Sequence, residues 1–125
     1  MIGTCLQLRS SSISNPHYWF IVLGPYKGHY FCANATDAKE KSDRSCVLLA
    51  GCHPQITKES VIHYRLSKLF PAAKLEAEVR AETNFRVYSS CSPEVVKQIL
   101  DGALVSDLLP NDILKWLQEA TGSGG

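Results

Sequence analysis

The side chains able to do acid, base or nucleophilic work are few and widely spaced in this chain. The histidines are His17, His29, His53 and His63, and an imidazole is the side chain best suited to move protons near neutral pH. His17 opens and Thr36 closes the stretch HYWFIVLGPYKGHYFCANAT. A threonine hydroxyl at a strand end can donate to a phosphate or a developing oxyanion, or bond the local backbone. His63 and Arg65 alternate along VIHYRLSKLF. On a strand they share one face, where guanidinium and imidazole together could hold a phosphate. Tyr64, between them, points to the other face. His53 stands in the loop CHPQITKES.

Other chemistry is thinly supported. The sequence has no Walker loop, GxGxxG, GxSxG or HExxH, which removes most nucleotide, hydrolase and zincin readings. The cysteines are Cys5, Cys32, Cys46, Cys52 and Cys91, with no CxxC pair. Cys46 and Cys52 do not have zinc-ligand spacing, and reduced thiols of a cytoplasmic protein are the expectation. No acid-rich set surrounds His53 and His63, so no metal or other cofactor is expected. Net charge is +1, so nucleic-acid binding would need a local patch. Lys39, Lys41 and Arg44 are interleaved with Asp37, Glu40 and Asp43, and this run reads as a solvated loop. No leader peptide or membrane span is visible.

The elements that must position these groups follow from pattern. TCLQLRS (4–10) alternates as a short strand. YWFIVLG (18–24) is dense in β-branched and aromatic residues and reads as a buried strand. Gly24 to Gly28 punctuates it, and HYFCANA (29–35) returns antiparallel. CVLLAG (46–51) and VIHYRLSKLF (61–70) read as further strands. PAAKLEAEVRAET (71–83) alternates like a strand but is rich in Ala and Glu, and the composition favours helix. FRVYSS (85–90) reads as extended. Ser92-Pro93-Glu94 is a helix start, with the cap, the first-turn proline and the acid in order. Leu109-Pro110-Asn111 starts another helix, with Ile113, Leu114, Trp116 and Leu117 as its buried stripe. The expectation is a mainly β fold, a small barrel of about five strands over 1–70 followed by helices over 71–120, with a flexible tail at 121–125.

The order of features in 17–70 resembles the PemK/MazF-like toxins of toxin–antitoxin systems. That family's hairpin runs through a polar "RP" pair, an apolar "VLS" strand and a strand ending in "TT". Here His17-Tyr18-Trp19 occupies the first region, Ile21-Val22-Leu23-Gly24 the second, and Cys32-Ala33-Asn34-Ala35-Thr36 the third. SCVLLAGCHPQITKESVIHYRLSKLF (45–70) is similar to plasmid- and phage-borne relatives. Residues 4–70 carry the resemblance, and beyond them it says only that helices follow.

The resemblance implies an SH3-like barrel, a homodimer, an antitoxin as separate chain, and single-stranded RNA as substrate. The implied reaction is metal-free transfer of the phosphodiester onto the neighbouring 2′-hydroxyl. Thr36 carries over from the family pattern. The family arginine at the hairpin entrance does not, since Tyr18 stands there. In this reading His17, Thr36, His53 and Arg65 are catalytic, and Tyr18, Lys27 and Tyr64 touch substrate. The alternative is a non-catalytic barrel that binds a partner protein. The enzyme reading requires His17, Thr36, His53 and Arg65 to converge on one concave surface.

Overall fold

The computed structural model describes residues 1–9, 18–39 and 42–122. Chain order is β1 (Cys5–Leu8), β2 (Tyr18–Tyr26), β3 (His29–Asp37), β4 (Val47–Leu48), β5 (Ser60–Ile62), β6 (Lys68–Pro71), α1 (Ala72–Ala81), β7 (Phe85–Tyr88), α2 (Pro93–Val105) and α3 (Asn111–Thr121). The fold is mainly β with helices toward the C-terminus, as the pattern led us to expect. All strand pairs are antiparallel.

The hairpin β2–β3 is the spine. Its strand does not stop at Gly24 but continues to Tyr26, which pairs with His29. The turn is therefore Lys27-Gly28 alone, with φ of 47° and 75°, the mirror-image turn whose twist matches that of the strands. Gly24 is indispensable in its place: a Cβ there would lie 2.7 Å from the His29 carbonyl oxygen.

The second edge of β3 is shared. Residues 35–37 pair with β5 and residues 29–32 with β6. The strand expected over 61–70 is thus interrupted by a single 3₁₀ turn, Tyr64–Leu66. The His63 amide still donates to the Asn34 carbonyl at 2.8 Å. Tyr64 then turns inward, and its hydroxyl donates to the Ile99 carbonyl at 2.7 Å. A straight strand could not bring that ring to α2. The strand expected over 46–51 shrinks to Val47–Leu48.

Composition outweighs alternation over 71–83, and α1 forms. After it, β7 returns to pair with β1 in the register Leu6↔Val87. The C-terminal part therefore contributes a strand as well as helices. Ser92 caps α2 by accepting from the Val95 amide, where such a cap contributes about 1 kcal/mol.

The strand order is β4-β5-β3-β2-β1-β7, with β6 beside β3. The sheet is open: β4 and β7 form no ladder with each other, so the expected closure into a barrel is not made. Helices cover its two faces instead. Phe20, Val22, Phe31, Ala33 and Ile62 pack with Val95, Ile99, Ile113 and Leu117 of α2 and α3. Leu6, Ile21, Tyr30 and Cys32 pack with Leu75 of α1. Each large apolar side chain so buried contributes roughly 1.5–3 kcal/mol. The sheet is nonetheless curled. Phe70 on β6 and Phe85 on β7 are four strands apart, about 19 Å in a flat sheet, yet their ring centroids lie 6.2 Å apart.

Candidate functional site

A cavity of about 410 Å³ opens at the C-terminal end of β3. Thr36 and Asp37 supply one wall from the strand end, Val61 and Ile62 the apolar floor from β5, and His63 and Arg65 the wall where the chain breaks away from the sheet. Lys39, Ser42 and Asp43 close it from the polar loop, and Leu108 from the segment after α2. The 3₁₀ turn is what makes this wall. It sends Tyr64 into the core and leaves its neighbours Arg65 and His63 at the cavity, Arg65 exposed and His63 half-buried.

The charges of the pocket are not alike. Arg65 and Lys39 make no ion pair among the described residues. Asp37 is paired only loosely, 3.8 Å from Lys58 with both side chains mostly exposed, a contact of little energetic weight. Asp43 is fixed. Its Oδ1 accepts from the Ser45 amide at 2.9 Å and the Ser45 hydroxyl at 2.6 Å, and its Oδ2 accepts from the Ser106 hydroxyl at 2.5 Å. Partial burial pushes the Asp43 carboxyl up. The hydrogen bonds from Ser106 and Ser45, with the nearby His63, outweigh this and hold it below the usual carboxylate value.

The residues expected at the site divide, and the set expected to converge does not do so as a whole. Thr36 and Arg65 line the cavity together, and His63 joins them. His17 lies outside the described residues. His53 does not reach the pocket: it is 2% exposed. Its Nδ1 accepts from the Gln55 amide at 3.0 Å and its Nε2 donates to the Ser89 carbonyl at 2.6 Å. With both nitrogens engaged and the ring edge-on to Phe20, it is a core residue with no free lone pair for chemistry. Tyr64 is fully buried; its hydroxyl pKa is strongly raised, first by burial, and it cannot touch substrate. Tyr18 stacks edge-on against Tyr88 and donates to Gln55, outside the cavity lining. Lys27 sits at the hairpin tip, paired with Glu119 at 2.8 Å. Seven residues of β3, His29 to Ala35, separate that tip from the pocket, roughly 25 Å of strand.

Nor do the thiols offer a nucleophile. Burial pushes Cys5 and Cys32 up to about 12 and Cys46 up to about 11, and it raises Cys52 and Cys91 above the ordinary thiol value, so all five stay protonated at neutral pH.

Lys39, Ser42 and Asp43 escaped sequence reasoning because the loop's signs cancel on paper. One signal was available. Asp43-Arg44-Ser45 has the spacing of an Asx turn, in which the carboxylate accepts the amide two residues on, and such an aspartate is held in place.

Comparison with protein-family models, with curated proteins and with solved structures returned no match.

Proposed function

We propose that this protein binds single-stranded RNA by a phosphodiester in the Thr36–His63–Arg65 pocket and cleaves it by transfer to the 2′-hydroxyl. The observation that carries this is the convergence on one cavity of a hydroxyl, an imidazole and a guanidinium that makes no ion pair among the described residues. Arg65 and Lys39 offset the charge that builds on the phosphorane, and the Thr36 hydroxyl donates to a non-bridging oxygen. The 2′-oxygen attacks phosphorus while its proton passes to His63. The bond to the 5′-oxygen breaks, and that oxygen takes a proton from water in the open pocket. The products are a 2′,3′-cyclic phosphate and a 5′-hydroxyl.

The same reading takes the curled sheet as an SH3-like, PemK/MazF-like barrel left open at one seam. What supports it is the approach of β6 and β7 through Phe70 and Phe85. It makes the chain a toxin-like protein with an antitoxin chain and a second copy of itself as partners.

The test is incubation of a defined single-stranded RNA with the purified chain in excess chelator. Cutting that persists with chelator and is lost in Arg65→Ala and Thr36→Ala supports the reading. Intact RNA at high protein concentration rejects it in favour of a non-catalytic binding module.

A further inference from the structure

The pocket carries a carboxylate that a simple anion site would do without. Asp43 stands among the groups that would hold a phosphate, Arg65, Lys39, His63 and Thr36, and its negative charge opposes an anion there. It is also held by three hydrogen bonds. An ionised carboxylate has about four lone-pair positions, and Ser45 and Ser106 fill three of those on Asp43. The Ser106 hydroxyl accepts in turn from the Leu108 amide at 3.1 Å, so the carboxylate is tied to the Leu108 wall. The position left over belongs to Oδ2, on a residue that lines the cavity.

A fixed acceptor beside a cation cluster selects its ligand. A bare phosphate meets repulsion from Asp43. A phosphate with a hydrogen-bond donor next to it exchanges that repulsion for a charge-assisted bond. In a nucleic-acid chain the sugar donor beside the phosphate is the 2′-hydroxyl, which DNA lacks. We infer that, before reaction, Asp43 accepts the 2′-hydroxyl of the bound nucleotide, whose hydrogen turns to His63 only as the 2′-oxygen attacks, and that Asp43 is the residue by which this pocket tells ribose from deoxyribose. This rests on the phosphodiester reading above and adds to it a specificity-determining residue in the polar loop. The inference predicts a discrimination of about tenfold, the size expected when a half-buried charged acceptor loses its donor.

Binding of one short sequence as RNA, as 2′-O-methyl RNA and as DNA, at one salt concentration and low temperature with RNA integrity checked, tests it. The wild-type chain should bind RNA about tenfold tighter than the other two. Asp43→Ala should bring the ratio near one, by weakening RNA and sparing or strengthening DNA. Arg65→Ala should weaken all three alike. Ser106→Ala, which frees Asp43 without removing it, should lower the ratio part-way, and it decides the matter if Asp43→Ala does not fold. A ratio that survives both Asp43→Ala and Ser106→Ala overturns the inference. So does equal binding of all three probes by a wild-type chain that still depends on Arg65, and then the phosphodiester reading stands. Binding that ignores Arg65 rejects that reading, and the role of Asp43 with it.

Discussion

His53 and Ser89 are joined by a hydrogen bond of 2.6 Å, from the ring Nε2 to the main-chain carbonyl. His53 belongs to the loop after β4 and Ser89 follows β7, so this one side chain spans the two edges of the open sheet. Its ring lies over Phe20 in the core between. β4 and β7 form no ladder with each other, and an imidazole bridges the gap between these two edges.

His53→Ala therefore removes a bridge and a core ring. It leaves the Gln55 amide and the Ser89 carbonyl without their partner and opens a cavity beside Phe20. The expected loss is about 2–4 kcal/mol in denaturant unfolding. A change within error would mean the seam is held by other contacts.

Gly102→Ala should also destabilise the fold. The added Cβ would overlap the Tyr64 hydroxyl and lie 2.8 Å from the Ser45 carbonyl oxygen and 2.9 Å from the Cys46 Cβ. Overpacking of this kind costs about 1–3 kcal/mol. Because Tyr64 is one of the colliding groups, Tyr64→Phe combined with Gly102→Ala should cost less than the sum of the two. A double-mutant cycle by urea unfolding measures that coupling, and strict additivity would show that α2 moves instead.

Asp43 makes stability depend on acid. Its pKa in the folded chain is depressed, so its contribution is fully present above the unfolded carboxylate value, near about pH 4. It is lost as pH falls through the lower folded value. Unfolding midpoints of wild type and Asp43→Asn should differ at neutral pH and converge in strong acid. A gap independent of pH would mean the carboxylate's charge is not what Ser45 and Ser106 hold.

Arg65→Ala should separate function from stability. The side chain is exposed and makes no ion pair among the described residues, so thermal unfolding should be unchanged, while RNA binding falls and the salt dependence of binding becomes shallower. Lys27→Ala, at the other end of the hairpin, should leave RNA binding intact. Equal loss from both variants would place the nucleic acid elsewhere.

Much of this architecture was legible because it is local. Ser92-Pro93 specifies a cap and a first turn through atoms within three residues of each other, and α2 begins there. The aromatic and β-branched run 18–23 could only be a strand. The Ala and Glu content of 71–83 decided for helix against an alternating pattern. The site was harder. Thr36 and Arg65 were visible as strand-end and strand-face groups, and they meet in the pocket. Asp43 was hidden in a loop whose charges cancel on average but not in space.

The histidines mark the boundary between the two kinds of information. Residue type alone determined that His53 and His63 could each move a proton; the strand expected to put His63 and Arg65 on one face is broken at Tyr64–Leu66, and the two line the cavity by way of that turn. Residue type could not determine which imidazole stays free. That depended on the loop after β4 folding across Phe20 to reach Ser89, which buries His53. It depended also on a single 3₁₀ turn that spends Tyr64 on the core and leaves His63 and Arg65 at the cavity. Both are contacts between residues more than thirty positions apart, and a side chain's solvent and partners are set by what folds over it, not by its neighbours in the chain.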